Sequence, residues 1–98
     1  MIDVSVVVPV YNVKDYLKDC LDSLAKQLHP KCEFICIDDG SMDDSYKIIE
    51  NYMGNDKRFK LIRQKNKGQA ETKNVGIQNA HGKYIAFLDA DDYFSGSN

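Results

Sequence analysis

Four short apolar runs, each ending in a polar cluster and separated by stretches of helical character, constrain this chain most. Residues 3–10, DVSVVVPV, are β-branched with few breaks, the pattern of a strand covered on both faces. Pro9 has no backbone donor, so the ladder should end near it. Further runs occur at 33–38 (EFICID), 59–62 (FKLI) and 83–88 (KYIAFL). Leu17, Cys20, Leu21, Leu24 and Leu28 fall at intervals of 3, 1, 3 and 4, one helical stripe. Lys14, Asp15, Lys18, Asp19, Asp22 and Lys26 take its wet side, and His29-Pro30 ends it. Asp43 or Asp44 can cap a second helix through Tyr52, with Ile48, Ile49, Tyr52 and Met53 inward and Gly54-Asn55 as the stop. Residues 65–68 read as a loop and 69–80 as a third helix, ending at His81-Gly82. The order β-α-β-α-β-α-β predicts a Rossmann-like parallel α/β sheet with flanking helices and strand order 3-2-1-4.

Composition narrows the function classes. At 98 residues the chain holds one domain at most, or a piece of a larger one. The net charge of -2 argues against nucleic acid or an anionic membrane surface as a partner. No apolar run approaches a membrane span. The start, MIDVSVVVPVYN, lacks the basic n-region of a signal peptide. Three cysteines, an odd number, disfavour a disulfide framework and suit a reducing, cytoplasmic setting. Cys32 and Cys36 would lie about 13 Å apart along a strand, too far to share a metal.

In an open parallel sheet, ligands bind beyond the carboxyl ends of the strands. The polar clusters sit at those ends: Tyr11-Asn12, Asp38-Asp39-Gly40-Ser41, Asn66-Lys67-Gly68, then Asp89, Asp91 and Asp92. An acidic strand end is often only a helix cap, and an acidic turn is often simply solvated. Three carboxylates crowded after an apolar strand repel unless a cation offsets them. All-oxygen ligands suit Mg²⁺ or Mn²⁺, ions that commonly bridge to phosphate. Neither a Walker A pattern nor a Gly-x-Gly-x-x-Gly fingerprint is present. An EF-hand would need Gly where Phe94 stands, and the Asp-x-Asp of haloacid-dehalogenase-like phosphatases follows the first strand, not the fourth. His29 and His81 fall at helix ends, where the helix dipole favours them without any catalytic role. Tyr11, after the first strand, can stack a flat ring on a base.

Val8-Pro9-Val10-Tyr11-Asn12, Asp38-Asp39-Gly40-Ser41, Asn66-Lys67-Gly68 with Lys73-Asn74-Val75-Gly76, and Gly82 through Asp92 together resemble the family-2 glycosyltransferases. That resemblance covers positions 4 to 94 and implies the N-terminal half of a GT-A fold, with residues 1–94 as a nucleotide-sugar binding part and 95–98 as a tail. It implies an inverting, metal-dependent transfer from a nucleotide-diphospho-sugar, a UDP-sugar, to a saccharide or lipid-linked acceptor in polysaccharide or cell-surface glycan synthesis. By the same resemblance Pro9, Tyr11, Asn12, Asp39, Lys73 and Asp89 bind the nucleotide, Tyr11 and Asp39 holding the base. Asp91, the second acid of the Asp-x-Asp, ligates Mn²⁺ or Mg²⁺, with Asp92 in support. Where the family often has Arg-Asn this chain has Lys73-Asn74, and a lysine lacks the bidentate fork. The general base is expected beyond residue 98, so the chain by itself reads as a donor-binding part without transfer activity. The alternative is a non-catalytic nucleotide-binding module or truncated inactive fragment. The parent is expected in the cytoplasm, peripheral to the inner face of the membrane, and the fourth strand is expected to be an unfinished edge that invites self-association.

Overall fold

The computed structural model describes residues 1–90, so the expected boundary between 94 and 95 lies outside the described residues. Seven elements alternate: β1 (Val4–Val10), α1 (Lys14–Ala25), β2 (Cys32–Asp39), α2 (Ser45–Asn55), β3 (Phe59–Gln64), α3 (Gln69–Asn79) and β4 (Tyr84–Phe87). The sheet has the order β3-β2-β1-β4, and all three pairings are parallel, as the alternation predicts.

Strand alternation divides the apolar residues between two faces. Val6, Val8 and Val10 of β1, with Phe34 and Cys36 of β2, meet Leu17, Leu21 and Leu24 of α1 and Ile49 of α2. Val7, Ile35 and Ile37 point the other way, where Val75 of α3 and Ala80 cover them. The first layer is the larger, since two helices supply it. Cys20, Cys32 and Cys36 are free thiols, and complete burial pushes the Cys36 thiol far up, which leaves it an inert apolar side chain. Among the described residues no helix is long and apolar enough to cross a membrane.

Three details depart from the sequence reading. Leu28, expected on the α1 stripe, is 95% exposed, because α1 stops at Ala25. The Arg58 guanidinium ends that helix: it donates to the carbonyls of Ala25 (3.1 Å), Gln27 (2.6 Å) and His29 (3.2 Å) and is held in place by Asp56. Carbonyls left orphaned at a helix end are thereby satisfied from another element. At the start of α2, Asp44 occupies the cap position in a left-handed conformation without capping; Asp43, one residue earlier, accepts from both the Ser45 N–H and its hydroxyl. Met53, expected to face inward, is exposed.

β4 ends the sheet. The Tyr84 N–H donates to the Asp3 carbonyl and the Leu88 N–H to that of Val7, both at 3.0 Å. Alternation turns the N–H groups of Ile85 and Phe87 away from β1, and both side chains are exposed. Among the described residues β4 has no second neighbour.

Leu21 and Leu28 make a matched test of this packing. Leu21→Ala should lower the unfolding free energy in urea by about 2–5 kcal/mol. Leu28→Ala should change it by less than about 0.5 kcal/mol. Equal losses at the two positions would mean that α1 continues through Leu28.

Candidate functional site

The carboxyl ends of the strands carry the polar residues, and short-range hydrogen bonds decide which of them face a ligand. β1 ends at Val10, and Tyr11 follows with its ring 49% exposed. Asn12 adopts φ 52, a left-handed value that asparagine tolerates. Its side-chain oxygen accepts the Met42 N–H at 2.8 Å and its own N–H donates to Ser41 Oγ at 3.0 Å. Asn12 therefore ties the end of β1 to the loop after β2, and it does not line the cavity described below.

Asp38 and Asp39 are neighbours on a strand, so they point to opposite faces. Asp38 accepts the Ser41 N–H at 2.9 Å, closing the turn, and lies 3.7 Å from Arg63 Nε. Asp39 turns toward α3 and is only 4% exposed. Its Oδ1 accepts from Gln64 Nε2 (2.9 Å) and the Lys67 N–H (2.8 Å); its Oδ2 accepts from the Gly68 N–H (3.1 Å) and Asn66 Nδ2 (3.4 Å). A carboxylate offers about four acceptor sites, and all are in use. Burial pushes the Asp39 carboxyl up, but donors from Gln64, Lys67, Gly68 and Thr72 outweigh it and hold the group below the usual range. Gly40 makes this closure possible: it sits at φ +77, and a Cβ there would stand 2.8 Å from the Asn66 backbone nitrogen.

A cavity of about 400 Å³ opens between these ends. Pro9, Val10 and Tyr11 form its β1 side, Asp39 and Asn66 its floor, Gly68, Gln69 and Thr72 the first turn of α3, and Asp89 and Ala90 the segment after β4. The structure thus brings together Pro9, Tyr11, Asp39 and Asp89 from the sequence-predicted set. Lys73 stays outside; its ammonium lies 5.6 Å from the Phe87 ring centroid, a cation–π contact between α3 and β4. Asp91 and Asp92 lie outside the described residues. Among the described residues no group of three or more His, Cys, Asp or Glu side chains could hold a metal ion. Asn66 belongs to the polar clusters expected at the strand ends, whereas nothing in the sequence singles out Gln64 or Thr72. Only a strand-end carboxylate needing donors points to them.

The depressed Asp39 value has a definite sign. Its stabilising contribution is fully present above the unfolded Asp value of about 3.9 and is lost as pH falls through the lower folded value. Asp39→Asn should accordingly flatten the acid side of a thermal-midpoint profile, below about pH 4, relative to wild type. An unchanged acid slope would show that Asp39 is not held ionised by its loop.

Known proteins resemble this chain over nearly its whole length. The model of Glycosyl transferase family 2 matches residues 5–97. The uncharacterized glycosyltransferase EpsJ of Bacillus subtilis is 44% identical over 92 residues, which are 94% of this chain and 27% of EpsJ. S. aureus TarS 1-349, solved in complex with UDP-GlcNAc, superposes with a TM-score of 0.88 at 36% identity, over 94% of this chain and 27% of that one. The mannosyltransferase PcManGT from Pyrobaculum calidifontis, solved with GDP-Man and Mn2+, gives a TM-score of 0.86 at 25% identity, over 93% of this chain and 28% of that one. The chain spans about a quarter of the length of these relatives. Its parallel sheet, with helices on both faces, is the Rossmann-like part of the GT-A fold. With a family match that runs from the first strand past the last, the chain belongs to Glycosyl transferase family 2.

Proposed function

We propose that this chain is the donor-binding part of an inverting glycosyltransferase that takes its sugar from a UDP-sugar, with Mn²⁺ or Mg²⁺ at the diphosphate. The parent would pass the sugar to a saccharide or lipid-linked acceptor in polysaccharide or cell-surface glycan synthesis, in the cytoplasm and peripheral to the inner face of the membrane. The observation that carries the reading is the cavity at the strand ends, which joins an exposed aromatic ring, a buried ionised carboxylate and Asp89 in one space. The TarS complex with UDP-GlcNAc, on the same fold, supports it.

The half-exposed Tyr11 ring offers a face to a base. Asp39 is the acceptor for an imide N–H, and its longest donor contact, Asn66 Nδ2 at 3.4 Å, is the one such a group would replace. Asp89, which lines the same cavity, is the contact for the ribose in this reading. The acids Asp91 and Asp92 would hold the cation, which supplies charge neutralisation for the departing nucleoside diphosphate. PcManGT, solved with Mn2+ and GDP-Man, supports divalent-metal use without choosing between the two metals.

For these 98 residues taken alone, binding without transfer is the favoured activity. Asp39 is the buried carboxylate of the cavity, and a carboxylate saturated with donors and held below its usual pKa is a poor proton acceptor. The proposal also includes self-association. Among the described residues Ile85 and Phe87 turn unpaired backbone groups and exposed side chains to the sheet edge, where a second copy's β4 can pair.

Calorimetric titration with UDP tests the site. Binding is expected with Mn²⁺ and loss of it in EDTA. Asp91→Asn should remove the metal dependence. Asp39→Ala should weaken binding by about 1–3 kcal/mol, with the metal effect intact. Equal affinity in EDTA would sink the metal assignment. Sedimentation equilibrium tests the edge: wild type should associate as concentration rises, while the Ile85→Lys, Phe87→Lys double variant stays monomeric. Monomeric wild type throughout would reject the pairing.

A further inference from the structure

The face of β2 that looks toward α3 carries a carboxylate at each end. Glu33 stands near the start and Asp39 at the end, with Ile35 and Ile37 between them. Glu33 is 1% exposed and lies at the end of the sheet remote from the cavity. Its Oε2 accepts from Ser5 Oγ and from the His81 N–H, both at 2.6 Å. Its Oε1 lies 3.2 Å from His81 Nδ1 and 3.4 Å from Lys60 Nζ. Burial pushes this carboxyl up, but the Ser5, His81 and Lys60 donors prevail and hold it low.

The two carboxylates therefore receive backbone N–H groups from opposite ends of α3. Asp39 takes those of Lys67 and Gly68, just before the helix, and Glu33 takes that of His81, just after it. The lengths agree. From Glu33 to Asp39 a strand rises about 20 Å. From Gly68 to His81 a helical path also rises about 20 Å.

These end contacts add direction to a helix otherwise seated at its middle, where Gly76 lies so close to β1 that a Cβ would stand 2.3 Å from Val7 Cγ1. Only Thr72 and Gly76 of α3 are buried. β4 has four residues and pairs with β1 alone among the described residues. Yet the first turn of α3 and Asp89, beyond β4, both line the cavity. They are joined by the turn at His81 and Gly82. There the Gly82 N–H donates to Ser5 Oγ at 2.8 Å, and a Cβ on Gly82 would lie 2.7 Å from the Ser5 nitrogen. That turn is seated directly on β1.

We propose that Glu33 is a positioning residue of the donor site: by clamping the α3–β4 turn at the far end of the sheet, it sets where the first turn of α3 and Asp89 stand across the cavity. The inference rests on the reading of the cavity as a nucleotide-sugar site, but its structural half can be tested without any ligand.

The experiment compares wild type, Glu33→Gln and Ile49→Val. The last is a core truncation on α2, away from the cavity, that controls for stability. Amide NMR spectra are recorded at a temperature where all three are folded, and UDP is titrated in with Mn²⁺. In Glu33→Gln the Gly68, Gln69 and Asp89 amides should shift and UDP affinity should fall about tenfold. Ile49→Val should lower the thermal midpoint but leave those amides and the affinity unchanged. A folded Glu33→Gln whose cavity amides match wild type would overturn the proposal, whatever its stability. If wild type does not bind UDP, the donor reading fails and the amide shifts alone decide on the clamp. If Glu33→Gln does not fold, Ser5→Ala, which removes one donor to Glu33 and the acceptor of the Gly82 N–H, takes its place. Shifted cavity amides in Ser5→Ala would then support the clamp, and wild-type amides would overturn it.

Discussion

An ionised carboxylate almost wholly buried at the end of a strand must take most of its hydrogen bonds from the chain itself, because little of it is open to water. Asp39 meets that demand with two backbone N–H groups and two side-chain amides. The requirement fixes the path of the loop after β3: Asn66, Lys67 and Gly68 must pass over β2 closely enough to donate. It also explains the glycine at position 40, since a Cβ there would strike the Asn66 backbone. Gln64 extends the network to Thr72, whose hydroxyl in turn donates to the Gly68 carbonyl and starts α3. The floor of the cavity and one of its walls thus follow from a single charge. A hydrogen bond to a charged group is worth about 1.5–3 kcal/mol, so losing several at once would release the whole loop.

The alternation of a strand gives the paired aspartates separate tasks. Asp38 faces the larger helical layer, where it closes the turn through Ser41 and approaches Arg63. Arg63 in turn lies over the Tyr46 ring, 3.7 Å from its centroid, which joins the end of β3 to α2. Asp39 faces the cavity. A one-residue slip of β2 would exchange these roles and leave each carboxylate among the wrong partners. Two adjacent acids at a strand end are therefore not a redundant pair: one builds the turn and the other orders the site.

Most of the fold was legible because apolar runs and helical stripes are local patterns. The seven elements, their order and the parallel sheet follow from residues near one another in sequence. What escaped was long-range. The end of α1 is decided by Arg58, more than thirty residues after Ala25, and no local signal at Leu28 reports it. Asn12 and Lys73 look like ligand contacts because they occupy strand-end and loop-proximal motifs. Within the chain Asn12 meets Met42 and Ser41, Lys73 lies near the Phe87 ring, and neither lines the cavity. Of the site, Pro9, Tyr11, Asp39 and Asp89 were legible, since residues placed at the carboxyl ends of parallel strands converge whatever their details. Gln64 and Thr72 were not, because their part depends on what Asp39 requires, and that need appears only once its burial is known.

Glu33 reads from sequence as part of an apolar strand, and the pattern around it has a physical meaning that apolarity conceals. Along one face of β2 the residues run Glu33, Ile35, Ile37, Asp39: two charges at the ends and two β-branched side chains between. The isoleucines supply apolar contact to α3, but that helix has little apolar surface to return. Burial of Ile35 and Ile37 alone would leave α3 free to slide along the sheet, since such contacts are non-directional. The carboxylates are directional, and each accepts from a backbone N–H at one end of the helical segment. A slide in either direction breaks one of the two sets and strands a buried charge, which costs far more than the apolar contacts gain or lose. The ends of α3 thus fix its register on the sheet together with the close seat of Gly76 on Val7, and the position of the cavity wall it forms is set with it.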